Sequence, residues 1–182
     1  MHTASLPPAL ALWRASHGRS KGTGPVVSRV ETPALLLACG NSMRQDDGVG
    51  LRIAEAAEQL FSASRLRIVT AQQFTPEMAA ELATADLALF IDASATDEPG
   101  AIRVRPVGAC AAPSESHGLD PPALLALAQE LYGHVPARAF TLTVGAANFG
   151  HGEDLSGPLR QAVPRAVRLL GNLLRAFGRS GF

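Results

Sequence analysis

The chain has 182 residues, 47% of them hydrophobic and 18% charged, which suits one domain with a buried core and excludes a disordered chain. Sixteen basic and sixteen acidic residues give a formal net charge of zero, which argues against a protein held on nucleic acid or membrane by bulk charge. Two cysteines, Cys39 and Cys110, are too few for a disulfide framework and form no CxxC motif, so a reducing cytoplasm is the expected location.

Residues 1–32 are punctuated by Pro7, Pro8, Gly18, Gly22, Gly24 and Pro25 and sustain no period. They are expected to form a disordered N-terminal extension. The folded domain is expected over 33–178, with a short C-terminal tail at 179–182. Ala34–Cys39 is a continuous apolar run, as in a strand buried on both faces. A helix is expected over 48–61, with Val49, Ile53, Ala56, Ala57 and Leu60 on one side. Residues 65–70 read as a second strand. Thr75 is placed to cap a helix over 76–83, with Pro76 at its first position. Residues 86–92 read as a buried strand and 101–107 as an alternating, more exposed one. Next come a helix over Pro121–Tyr132 and a strand over 139–145, and Ser156 is placed to cap a final helix running to about Phe177.

Strands alternating with helices predict an α/β three-layer sandwich: a twisted, mixed, mainly parallel sheet of about five strands, with helices on both faces. The mixed character comes from the short Pro99-Gly100 turn, which can join only antiparallel strands. In such folds ligands gather beyond the carboxyl ends of the strands, which makes the segments just after Cys39, Asp92 and Gly145 the places to look for chemistry.

After the first strand comes Gly40-Asn41-Ser42-Met43-Arg44-Gln45-Asp46-Asp47-Gly48-Val49-Gly50. Glycines allow close backbone approach and positive φ. An Asp at a helix start caps amides and favours the dipole, which explains one carboxylate better than two adjacent ones. The segment lacks GxGxxG, and two carboxylates would repel a pyrophosphate. The lack of GKS or GKT excludes a P-loop. Asp92 ends a strand, but Ser94 stands where an aspartyl phosphatase carries its second acid. His117 lies in a polar loop before a helix. Asp47, Asp92 and His117 thus offer two carboxylates and an imidazole from three loops on one edge, a set suited to a divalent ion of borderline hardness. Asn148, His151 and Glu153 form a polar, Gly-rich loop that reads as ordinary surface.

At these residues the chain resembles the hydrogenase maturation proteases, over roughly residues 34–170. The resemblance rests on an ordered series: Gly40-Asn41 with Asp46-Asp47-Gly48-Val49-Gly50; Phe90-Ile91-Asp92-Ala93; Ser116-His117-Gly118-Leu119; and Gly145 through Gly152-Glu153-x-Leu155-Ser156. It implies an endopeptidase that removes the C-terminal extension of a nickel–iron hydrogenase large-subunit precursor after nickel insertion. It implies that Asp47, Asp92 and His117 contact nickel carried by that precursor, with no tightly bound cofactor of the enzyme's own. Asp47 and Asp92 are the candidate bases, with Asp46 a weaker one that reads more readily as a cap. Gly40, Asn41, Gly48 and Gly50 are the expected structural and substrate loop. One departure stands out. Where many relatives carry acid-Gly-Gly-Thr after the second strand, this chain has Thr70-Ala71-Gln72-Gln73-Phe74, which suggests a different substrate subclass. The competing readings are another metal-assisted hydrolase using the same three residues and a non-catalytic chaperone that senses metal loading.

Overall fold

A computed structural model describes residues 33–109 and 119–177. The expected N-terminal extension, Cys110, His117 and the expected tail at 179–182 lie outside the described residues.

All six residues of Ala34–Cys39 (β1) are buried, as an unbroken apolar run requires. A 3₁₀ turn at Gln45–Gly48 leads into helix α1, Val49–Glu58. Strand β2 is Leu66–Ala71, and a short helix α2 is Met78–Leu82. Strand β3, Leu87–Ser94, is followed by β4, Ile102–Pro106. Helix α3 is Pro121–Tyr132, β5 is Arg138–Gly145 and α4 is Gly157–Phe177. Among the described residues the strands form one sheet in the order β2-β1-β3-β5-β4, with β4 alone antiparallel. The mixed, mainly parallel sheet is therefore as expected.

Side chains alternate across the sheet, and each face has its own pair of helices. On one face Leu35, Leu37, Ala88 and Phe90 pack with Met78 and Leu82 of α2 and Leu124, Leu125 and Ala128 of α3. The Phe74 ring meets Phe90 edge-on there, with centroids 5.5 Å apart. On the other face lie α1 and α4, and Phe140 stacks on Phe177 at 5.0 Å. Burial of this kind stabilises by about 1.5–3 kcal/mol for each large apolar side chain, so the two faces together hold the sheet. Helix α3 begins where the sequence dictates: Asp120 accepts from the Ala123 amide at 2.8 Å, Pro121 fills the first turn, and Gly133 ends the helix at φ 66°.

Four local expectations are corrected. The helix expected over 48–61 starts as a 3₁₀ turn and stops at Glu58, so Leu60 is 70% exposed and off the apolar face. No side chain caps α2; the Thr75 carbonyl accepts from Met78 instead. The Ser156 hydroxyl caps no amide, because that residue turns its own amide to Asp46. Strand β3 runs on to Ser94, since β5 continues beside it as far as Gly145.

The connection from β3 to β4 does not make a hairpin. It passes over the end of β5, with the Gly100 amide donating to Gly145 and the Gly145 amide to Ala101, both at 2.8 Å. A Cβ on Gly145 would stand 2.0 Å from the Glu98 carbonyl oxygen. Gly145→Ala is therefore expected to destabilise by at least ~2 kcal/mol, because backbone and not a flexible side chain must yield. Chemical denaturation should show the midpoint falling at unchanged slope.

Candidate functional site

The site forms at the carboxyl edge of β1 and β3, where the loop after β1 folds back against the strand it leaves. Gly40, at φ 148°, donates its amide to the Ala71 carbonyl at 3.1 Å. A Cβ there would fall 2.0 Å from the Asp47 carbonyl oxygen. On Gly50 a Cβ would fall 2.3 Å from the Cys39 carbonyl oxygen. These two positions admit only glycine, and they press the turn carrying Asp47 onto the end of β1. Asn41 tightens the same loop by accepting from the Met43 amide at 2.9 Å. Gly48 sits close over Ser42 and lets the 3₁₀ turn run into α1.

Asp46 and Asp47, adjacent in sequence, have opposite circumstances. Asp46 is wholly screened from solvent, and its carboxylate accepts three backbone amides: Ser156 at 2.7 Å, Asn148 at 3.0 Å and Ala147 at 3.3 Å. Burial pushes its pKa up, but these donors outweigh burial and hold the carboxyl below its ordinary range. The backbone adds three more bonds between the same segments: Asp46 to Asn148, Gln45 to Gly152, and Gly152 to Met43. Asp46 is thus a clasp joining the loop after β1 to the loop after β5. With both oxygens occupied and its proton affinity lowered, it is poorly equipped to act as a base. Asp47 is half-buried, and no described residue donates a hydrogen bond to its carboxylate.

Asp92 lies on β3, half-buried, with its Oδ1 accepting from the Ala93 amide at 2.8 Å. Burial pushes its pKa up to about 6; the Ala93 amide opposes this and the Asp47 charge adds to it. The Asp47 charge thus reaches Asp92 across the end of the sheet. Cys39, at the end of β1, has its thiol pushed up to about 12 by burial and by Asp92. It is a protonated core residue and no nucleophile. His117 lies outside the described residues. Among those described, no three His, Cys, Asp or Glu side chains converge as a metal site.

Asp92 also borders a cavity of about 280 Å³ on the face that carries α2 and α3. Phe74, Phe90 and Pro121 form its apolar wall, and Thr141, Thr143 and Arg105 extend it across β5 to β4. Phe74 belongs to the segment that departs from the acid-Gly-Gly-Thr pattern, so here that segment supplies an aromatic wall. At the rim the Ser94 hydroxyl, and behind it Arg103 and Arg105, hold the Asp97 carboxyl below the usual carboxylate range. The reading of 139–145 as a strand left the cavity residues unmarked, although Thr141-Leu142-Thr143 places a polar side chain on every second position of one face.

No family model matches the chain, and no curated protein matches it in sequence. Solved structures do. Hydrogenase maturating endopeptidase HybD from E. coli superposes with a TM-score of 0.65 at 21% identity, covering 80% of this chain and 94% of that one. The chain has the fold of the hydrogenase maturation proteases. The [NiFe] hydrogenase maturation protease HycI from Thermococcus kodakarensis gives a TM-score of 0.62 at 21% identity, over 79% of this chain and 93% of that one. A hydrogenase 2 maturation peptidase from a Thaumarchaeota archaeon gives 0.59 at 19% identity, over 79% and 98%. The maturation-protease fold spans about 80% of this chain. Among the described residues no helix is long and apolar enough to cross a membrane.

Asp46→Asn replaces an acceptor oxygen with a donor facing backbone amides, and is expected to destabilise by about 3 kcal/mol at neutral pH. Because the folded pKa is lowered, the clasp's contribution is complete above the ordinary carboxylate range near 4. It is lost as pH falls through the folded value. Thermal melts of wild type and variant should therefore converge in strong acid, separate as the pH rises from the folded value, and stay fully separated above about 4.

Proposed function

We propose that this protein is an endopeptidase that removes the C-terminal extension of a nickel–iron hydrogenase large-subunit precursor after nickel insertion. The nickel bound to the precursor serves as the recognition element. The observation that carries the reading is that the charge of Asp47, on the turn after β1, raises the pKa of Asp92, on β3, at the carboxyl edge of a sheet with the maturation-protease fold. His117 is the third contact with the substrate's nickel in this proposal. It stands two positions before Leu119, which packs against the core, and four before Pro121, which borders the cavity with Asp92. The expected location is the cytoplasm, where large-subunit precursors are assembled.

Amide hydrolysis needs a positioned water, relief of charge on the oxyanion and a proton for the departing amine. Asp47 has a free carboxylate and Asp92 a proton affinity raised by burial. Asp92 is the better base: near its pKa of about 6 it takes a proton from the attacking water and returns it to the leaving amine. Asp47, with no donor among the described residues, turns to the metal. Nickel on the precursor then places the scissile bond, and positioning alone contributes ~7–11 kcal/mol, enough to make cleavage conditional on metal loading. The aromatic wall at Phe74 fits a substrate subclass with an apolar residue beside the cleaved bond.

Incubating the protein with nickel-loaded and nickel-free precursor, and reading product mass, should give cleavage of the loaded form alone. Equal cleavage of both forms refutes the checkpoint, and cleavage of neither refutes the peptidase. His117→Ala should leave the melting temperature unchanged and abolish processing. It should weaken binding of loaded precursor far more than of unloaded; lost cleavage with intact nickel-dependent binding would move His117 from metal recognition to the chemical step.

The pH profile is a separate check. Cleavage should fall about tenfold per pH unit below about 6 as Asp92 takes up its proton, and should level off above it. A flat rate between about pH 5 and 7 rules out Asp92 as the base.

A further inference from the structure

The cavity beside Asp92 has a chemical polarity that peptide hydrolysis alone does not require. We infer that Arg105, with the hydroxyls of Thr141 and Thr143, forms a subsite for a carboxylate of the substrate peptide, across the sheet from Asp92. The inference rests on the peptidase reading above and specifies what part of the peptide the cavity holds.

The register places the parts. Asp92 of β3 pairs with Thr143 of β5, which pairs with Arg103 of β4. One row further from the carboxyl edge, Phe90 pairs with Thr141, and Thr141 with Arg105. Paired residues point to the same face of a sheet, so all six lie on the α2–α3 face, and the cavity runs diagonally over them from Asp92 to Arg105. Two inter-strand spacings and one row put the two ends ~12 Å apart between backbones.

The two arginines of β4 differ in what they meet. Arg103 is ion-paired with Asp97. The Arg105 guanidinium makes no hydrogen bond or ion pair with any described residue, although it feels the Asp97 charge; the Arg105 carbonyl accepts from the Thr141 hydroxyl at 3.5 Å. An unpaired arginine on a surface is ordinary, and Arg168 on α4 is one. Arg105 is different because it lines the cavity onto which Asp92 opens, next to two half-buried threonine hydroxyls. A guanidinium offers a planar fork of donors matched to a carboxylate, and threonine hydroxyls can donate to the oxygens it leaves over, Thr143 directly and Thr141 by turning from the Arg105 carbonyl that accepts it at 3.5 Å. At the opposite end Asp92 repels an anion. A peptide acid entering this cavity is therefore driven to the Arg105 end. An extended chain rises ~3.3 Å per residue, so the bound carboxylate lies about three residues from the bond held at Asp92. It belongs either to an Asp or Glu side chain or to the chain terminus of a short extension.

The test uses the full-length protein and the nickel-loaded precursor. Dissociation constant, KM and kcat are measured for wild type, Arg105→Gln, Arg105→Lys and Arg105→Glu, after melting curves confirm that each is folded. Arg105→Gln should raise the dissociation constant and KM on the order of tenfold, the effect of losing one charge-assisted pair, with kcat within about twofold. Arg105→Lys should recover part of the loss, and Arg105→Glu should be worse than Gln. Two precursor arms locate the carboxylate. In one, each Asp and Glu within four residues of the cleaved bond is replaced by Asn or Gln. In the other, two glycines are added to the C-terminus to displace its carboxylate. One arm should weaken wild type as Arg105→Gln does and be insensitive to Arg105→Gln. Unchanged dissociation constants in the Arg105 variants overturn the subsite, as does a fall in kcat at constant KM. Weakening that neither precursor arm reproduces shows that Arg105 holds something other than a carboxylate, and overturns it too. If wild type binds precursor but does not cleave it, the peptidase reading fails, while the dissociation constants still decide Arg105.

Discussion

The Asp46 carboxylate sets the position of everything else at the carboxyl edge. Two loops more than a hundred residues apart meet there, and the loop after β5 leaves backbone amides that the sheet does not satisfy. One buried carboxylate collects three of them. Buried amides without acceptors are costly, so the contact fixes both loops at once, and Asp47 inherits its place from its neighbour. The adjacent pair of acids thereby divides into one that is consumed by the scaffold and one that has no donor among the described residues.

The glycines complete the same constraint from the other side. At Gly40 and Gly50 the backbone of the loop and of α1 comes so near β1 that a methyl group has no place. The Asp47 side of the site is therefore closed to change, whereas the cavity side, walled by Phe74, Pro121 and the β5 threonines, is made of side chains that sequence can vary. The departure from acid-Gly-Gly-Thr falls on that variable side. Differences in substrate among proteins of this fold are expected to be written there and not in the loop after β1.

Much of the sheet was legible in the sequence because its signals are local. The apolar run of β1 and the Asp120-Pro121 start of α3 state their structure within a few residues, as does the Gly133 stop. The site was legible only in part. Asp47 and Asp92 stand out because carboxylates at strand ends are conspicuous, and the charge of the first reaches the second. The tie between Asp46 and residues 147–156 was not legible, since it is made by backbone amides that any residue carries. The end of α1 at Glu58, with Leu60 exposed, shows the same limit: apolar spacing allowed one more turn, and the chain's route to β2 denied it. The cavity escaped for a third reason, since its members come from strands brought side by side by topology.

That topology also orders events as the chain emerges during synthesis. Strand β4 precedes β5 in sequence, yet its ladder is made only with β5, and the β3–β4 connection crosses the end of a strand that does not yet exist. Until residues near 145 are available, β3 presents an open edge and β4 has nothing to pair with. A nascent chain that has exposed β1 to β4 thus holds two unpaired, β-prone segments, the kind of species most open to wrong partners. The arrival of β5 seals the edge, adds β4 and assembles the cavity in one step. The cavity and the complete sheet therefore arise together, and no half-built form of this protein carries the whole cavity.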